Sequence, residues 1–485
     1  MDQNETNLKQ SATSGLLWKL VEKGGTQIIQ FIVSLILARL ISPEEYGIVG
    51  LLTIFIALSD IIIQQGLVTA LIQKKNTTEL DYSSVFWVNF LFSIFIYIIL
   101  YLIAPLIAGF YNEQALISIM RVISLNVIIG SLSSVHYTIL VKKLAFKKSF
   151  FRGLSNTITY GLIGIVLGSL GFGAWSLVFA RIAGTAASTL TSFLTVRWKP
   201  SLHISLNNIN SMFNFSSKLL LTSIANTIFN NIHSLIIGRF FSKSDLGYYQ
   251  RGQQIPQTVL TAIDGSLSEV LYPTFSIIQD NLSLLKAAMR RSLKISLYVV
   301  LPLLAGLYAT AEPLILILLT DKWELSIPFL RLSCIICAFW PLSAREHALN
   351  AIGKSNVTLK LSIINKSITL IFIFICLPLG IYAIMYSTIF ASFISLFISC
   401  YYINRYIHYT VREFIRDILP IILLSVSMCF IIYFFNFLAI PLFLKLSLQT
   451  IIGVIIYLLG SYILKLESFY YILDLLKKIP KNRKY

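Results

Sequence analysis

The chain has 485 residues, 56% of them hydrophobic and 12% charged, with a mean hydropathy of +0.78 and a net charge of +18. Soluble globular chains carry about 25% charged residues, so this composition excludes a water-soluble fold. The basic excess alone would suit nucleic acid, and the placement of the basic residues has to decide.

Apolar runs of about 20 residues recur from end to end, each long enough to cross a hydrocarbon core of about 30 Å at about 1.5 Å per helical residue. They predict an all-α polytopic membrane protein of fourteen helices. The first six spans are expected at 15–40, 46–71, 84–107, 115–140, 150–170 and 173–196. Polar residues precede the first, and Lys19, Glu22 and Lys23 stand in its opening turns, a pattern unlike a cleaved secretory signal. The stretch RWKPSLHISLNNIN then predicts a cytoplasmic link over 197–211. Six more spans follow at 212–241, 248–277, 292–319, 327–352, 357–377 and 381–402. This organisation gives an N-terminal six-helix lobe at 1–196 and a C-terminal one at 212–402. Two additional helices at 418–437 and 442–464 occupy 403–464, before a basic tail at 465–485.

Lys and Arg accumulate on the cytoplasmic side of a membrane. With the N-terminus inside, the cytoplasmic segments collect most of the 39 basic residues, among them Lys142, Lys143, Lys147, Lys148, Arg152, Lys286, Arg290, Arg345 and the tail. Only Arg39, Arg239, Lys243, Lys322 and Lys445 fall outside. Both termini are therefore expected in the cytoplasm. Basic residues spread over many short loops match topology and anionic headgroups, and exclude nucleic acid as the partner. Cys334, Cys337, Cys376, Cys400 and Cys429 all lie in apolar runs. Cys334-x-x-Cys337 has no second pair or His cluster nearby, so packing is the reading and no metal or cofactor is expected.

SLILARLISPEEYG (34–47) returns 200 residues later as SLIIGRFFSKSDLG (234–247), with six of fourteen positions identical. Six spans separate the starts of the two copies. An even number preserves direction, so the lobes read as parallel repeats about an axis along the membrane normal. Two such lobes facing each other enclose a cavity, as a transporter requires.

LGYYQRGQQIP (246–256), SEVLYPTFSIIQDN (268–281), DKWELSIPFLRLSCIICAFWPL (321–342) and LNAIGKSNVTLK (349–360), with the first-span pattern ending in the opening repeat, resemble a known family. They are similar to bacterial polysaccharide repeat-unit flippases of the O-antigen, teichuronic-acid and colanic-acid type. That family belongs to the superfamily that also holds multidrug extruders and lipid II flippases. The resemblance covers almost the whole chain. It implies a non-enzymatic exporter in the cytoplasmic membrane, moving undecaprenyl-diphosphate-linked oligosaccharide outward by alternating access through a cationic cavity. Membrane lipids, and a polymerase and glycosyltransferases of the same pathway, are the implied partners of a monomer. No GxxxxGK[ST] loop is present, in keeping with transport that does not use ATP.

Eight basic residues remain inside the spans: Lys19, Lys23, Arg121, Arg181, Lys218, Arg251, Arg331 and Lys366. A charge at mid-bilayer costs about 2.5–3.5 kcal/mol on insertion scales, so deep ones should face partners or a wet cavity. Arg181 lies near the midplane and is the first candidate for a diphosphate contact, because a guanidinium forks onto phosphate oxygens. The alternative is that it ties helices together through an acid. Lys366 is similarly deep and suits a site or a scaffold role equally. Lys19, Glu22 and Lys23 share a helix face, and lipid II flippases similarly carry a basic and acidic pair there; snorkelling to headgroups is the alternative. Arg121, Lys218 and Arg331 are shallower candidates, whereas Arg251, Arg39 and Arg239 read as interfacial. Asp60 and Asp264, repeat-related acids in the cytoplasmic half, join Glu22 as candidates for ion coupling, with pairing to a base as the other reading. Gly161, Gly164 and Gly168 should let helices approach closely.

Competing readings of the same chain are a multidrug/cation antiporter, a membrane polysaccharide polymerase or glycosyltransferase, and a passive scaffold. A cationic-drug cavity would want acidic walls, yet deep bases outnumber deep acids here. A polymerase needs a large external loop, and the longest outside loop is short.

Overall fold

The computed structural model describes residues 25–74 and 76–478, and the side chains of some helical residues, Lys218 and Asp264 among them, lie outside that description. The regular elements described are all helices. They fall into two compact units, Met1–Gly247 and Tyr248–Tyr485.

In the first unit α1 spans Gly25–Leu40, followed by α2 (Pro43–Gln65), α3 (Leu67–Gln73), α4 (Glu79–Tyr111), α5 (Ala115–Ile123), α6 (Leu125–Lys142), α7 (Phe146–Ser169) and α8 (Ala174–Thr195). After an extended link come α9 (Leu206–Asn230), α10 (Ile232–Phe240) and the start of α11 (Lys243–Ile277). The second unit continues with α12 (Leu282–Ala309), α13 (Ala311–Leu319), α14 (Ser326–Cys337), α15 (Ala344–Ala351), α16 (Ser355–Cys376), α17 (Ile381–Ile407), α18 (Val411–Tyr433), α19 (Leu442–Ile463) and α20 (Glu467–Lys478).

Eleven helical stretches among the described residues are long and apolar enough to cross a membrane, or twelve if α9 and α10, bent by 45°, make one span. The other two of the fourteen expected spans fall on α1, a shorter apolar helix over its described residues, and on α11, and neither is among these stretches. The polarity of the helices is that of a membrane protein. On α4, Phe92, Phe95, Leu102 and Leu106 face outward, while Ser84, Asn89 and Ser93 are buried. Asn89 donates to Ser134 Oγ at 3.3 Å, and Ser93 and Ser131 share a hydrogen bond at 3.0 Å. Small and polar side chains hold helices together where lipid supplies no hydrophobic drive.

The expected glycine stripe packs α7 on α1. A Cβ at Gly161 would lie 2.7 Å from Val33 Cγ2, and one at Gly164 would lie 3.1 Å from Leu37 Cδ2. The link after α8 is pinned to the start of α4: Ser83 and Ser84 accept from the amides of Ser201 and Ser205, and Trp87 donates to Ser201 O at 2.8 Å. Because α9 packs against α2 and α3, the compact-unit boundary falls after Gly247, beyond the boundary of the sequence repeat.

The repeated motif forms two matching corners. Ser42 accepts from the Glu45 amide while Glu45 accepts from the Ser42 amide, and Ser242 and Asp245 make the same reciprocal pair. Such a box satisfies two orphan donors at a helix start. The corners also touch each other in a two-fold manner. A Cβ at Gly47 would run into the carbonyl oxygen of Lys243, and a Cβ at Gly247 into that of Pro43. Lys243 pairs with Glu113 and lies 3.8 Å from Glu44.

Candidate functional site

The first unit brings together two of the residues expected at the site. Arg181 on α8 places Nη2 3.0 Å from Asp60 Oδ2 on α2. Both side chains remain partly exposed, at 43% and 30% of their surface. A lone arginine in an apolar helix would be expensive, and the carboxylate beside it removes much of that cost. The pair is still open to a competing anion, since one acid fills only part of a five-donor fork.

Arg121 stands elsewhere. Its guanidinium lies 4.2 Å from the Tyr101 ring centroid, and its buried Nε has no hydrogen-bond partner among the described residues. In the second unit Arg331 lies 5.2 Å from the Tyr433 ring and 5.9 Å from Tyr308, with Glu312 4.0 Å away. Tyr308 also lines an apolar groove of about 440 Å³ between α12, α14, α17 and α18. Lys366 is half-buried on α16, beside Asn365. Lys19, Glu22 and Lys23 lie outside the described residues, as do the side chains of Lys218 and Asp264.

Two polar pockets escaped the sequence reading. In the first unit Thr26 and Gln30 of α1, Arg152, Asn156 and Thr157 of α7, and Ser188 of α8 line a space of about 170 Å³. Arg152, placed by sequence in a cytoplasmic cluster, donates from Nε to Ser192 at 3.0 Å and stacks over Tyr137 at 4.7 Å. The spacing i, i+4 of Thr26/Gln30 and of Arg152/Asn156 was the available signal. In the second unit the tenth span, Ser326–Ala351, loses its α-helical geometry part-way along. Helix α14 ends at Cys337, a short 3-10 turn covers Trp340–Ser343, and α15 resumes at Ala344. A pocket of about 250 Å³ opens beside this break.

Arg345, counted by sequence with the cytoplasmic segments, is packed within the second unit: it is 3% exposed, donating to Leu342 O at 3.2 Å and to Cys400 Sγ at 3.1 Å over the Phe414 ring. Arg251, expected at an interface, is 6% exposed and donates to Gln254 Oε1 at 2.6 Å. Cys334 and Cys337 are buried thiols, and the described residues hold no group of three or more metal-ligating side chains.

The family model described as polysaccharide biosynthesis protein matches residues 36–328. The succinoglycan biosynthesis transport protein ExoT of Rhizobium meliloti (strain 1021) is 29% identical over 327 residues, 66% of this chain and 65% of ExoT, so the match spans just under two thirds of that relative. The teichuronic acid biosynthesis protein TuaB of Bacillus subtilis (strain 168) is 24% identical over 326 residues, 67% of each chain. Among solved structures, the lipid II flippase MurJ in an inward closed conformation shares the fold with a TM-score of 0.74 at 17% identity, covering 95% of this chain and all of MurJ.

Proposed function

Because this chain belongs to the polysaccharide biosynthesis protein family, we propose that it is a flippase moving undecaprenyl-diphosphate-linked oligosaccharide from the inner to the outer leaflet of the bacterial cytoplasmic membrane. Relatives named for succinoglycan transport and teichuronic acid biosynthesis, and the fold of a lipid II flippase, support this reading. The observation that carries it to residues is the half-exposed Arg181–Asp60 pair, a cation at membrane depth whose partner is a single, displaceable carboxylate. The diphosphate takes the guanidinium in a fork. Asp60, freed of its partner, takes up a proton or a sodium ion, which couples cargo to an ion gradient. Arg121, Arg331 and Lys366, with Lys19, Lys23 and Lys218, supply further positive charge along the path, and Glu22 and Asp264 are the other coupling acids. The apolar groove of the second unit suits the polyprenyl chain. Both termini are cytoplasmic and the working unit is a monomer.

Lipid-linked glycan reaching the outer leaflet, scored in cells or proteoliposomes, tests the proposal. The parent chain flips, and Arg181→Ala at equal expression loses most of that activity. A parent that does not flip removes the function, and an undiminished Arg181→Ala variant removes the site.

A further inference from the structure

A polar pocket inside an apolar bundle needs a reason, because unsatisfied polar groups in hydrocarbon cost several kcal/mol in general. The pocket beside the break in the tenth span is lined by Trp340, Glu346, Asn365, Thr369, Ser395 and Ser399, with Arg345 at its edge. Asn365 Oδ1 is buried and has no hydrogen-bond partner among the described residues. Ser392, Ser395 and Ser399 recur at i, i+3 and i+7 on α17, and Asn365 and Thr369 at i, i+4 on α16, so each helix turns one polar face to the same space. The short 3-10 turn at Trp340–Ser343 lies against this same space, and irregular backbone in a membrane helix is tolerated where it lines a cavity.

The chemistry of the walls selects the occupant. A volume of about 250 Å³ is far larger than a dehydrated metal ion needs. The Arg345 guanidinium is engaged by Leu342 O, Cys400 and the Phe414 ring, and it sits beside a carboxylate, Glu346, that would repel phosphate. What remains is a carboxylate and an amide oxygen able to accept, hydroxyls able to do both, and the indole of Trp340, which is 42% exposed. Hydroxyl donors on a ring with an apolar C–H face satisfy all of these at once. We propose that this pocket binds one neutral glycosyl residue of the cargo and so contributes to the choice of sugar. This rests on the proposed function for the sugar's being part of the cargo, and it goes beyond it by naming the subsite.

The test uses the full chain in detergent and in proteoliposomes, with neutral hexoses and N-acetylhexosamines as soluble probes. At least one sugar gives a saturable tryptophan-fluorescence change in the parent. Ser395→Leu, which fills the pocket, abolishes it, and Ser395→Ala, which keeps size and fold, weakens it about ten-fold, a loss of about 1.4 kcal/mol. Trp340→Phe keeps a stacking face and retains binding that Trp340→Ala loses, read by the sugar-dependent melting shift. A saturable sugar response together with no flipping of lipid-linked glycan leaves the subsite standing and overturns the transport reading. Flipping by the parent, with no sugar response or one that Ser395→Leu leaves intact at an unchanged melting temperature, overturns the subsite alone. A response to sodium ions only, removed by Ser395→Leu, overturns it as well.

Discussion

In the first unit Arg181 meets one acid, Asp60, and the two side chains keep 43% and 30% of their surface. In the second unit Arg290 is forked onto Asp417 at 2.7 and 2.8 Å, and that carboxylate keeps 4% of its surface. Tyr409 donates to the same carboxylate at 2.8 Å, and Lys294 lies 3.4 Å from it. Lys286 donates to Glu413 and to His408 O, and Lys294 reaches Glu467 on α20 at 2.8 Å. One arrangement leaves donors over for a ligand; the other uses them up to fasten α12, α18 and α20 to one another. Charge among packed helices is therefore not by itself a sign of a site. What separates the two is how many partners each charge already has.

The largest expected effect lies in the fastened set. Asp417→Ala leaves Arg290 without its fork, and breaking a buried pair in this way costs about 3–5 kcal/mol, read as a fall in the melting temperature or loss of folded protein from the membrane. A variant that melts like the parent would put Asp417 in the same class as Asp60. Gly47→Ala forces the first corner off the Lys243 backbone, and overpacking of this kind costs about 1–3 kcal/mol. A disulfide formed between Cys substituted at Glu44 and at Lys243 should fall in yield in that variant. Asp60→Asn frees Arg181 at a smaller cost in stability than Asp417→Ala, because both side chains of the pair stay partly exposed and the amide keeps an oxygen for the guanidinium. Its effect should appear in the ion dependence of flipping instead, and a melting loss as large as that of Asp417→Ala would make the pair structural. Smallest is the outer tether. The hydrogen bond from Lys294 holds the Glu467 carboxyl below its usual value of 4.5, so the tether is present above the usual carboxylate range and is lost as pH falls through the lowered value. Glu467→Gln should flatten that acid limb of the melting profile and change little at neutral pH.

The fold was legible because its signals are local or periodic. Long apolar runs, the glycine stripe of α7 and the repeated corner motif each act within one helix or one turn. Arg181 and Asp60 stand out as charges inside apolar runs, but their meeting across 121 positions is only one of the pairings the sequence allows. What did not show was the consequence of a break. Nothing in AFWPLSAREHA announces that Arg345 is buried against Cys400 and Phe414, and serines scattered along α17 look neutral until the helices opposite are known. Polar pockets arise from faces contributed by three helices, and a single sequence orders them only one at a time.

The corners made by Ser34–Gly47 and its copy carry a meaning beyond closure. Gly47 meets Lys243 and Gly247 meets Pro43, and both the two glycines and the two residues they meet are equivalent positions of the repeat. A contact made twice by equivalent residues is isologous, the kind that two copies of one subunit make about a two-fold axis. The single chain thus holds, between positions 43 and 247, a homodimer interface folded into one polypeptide.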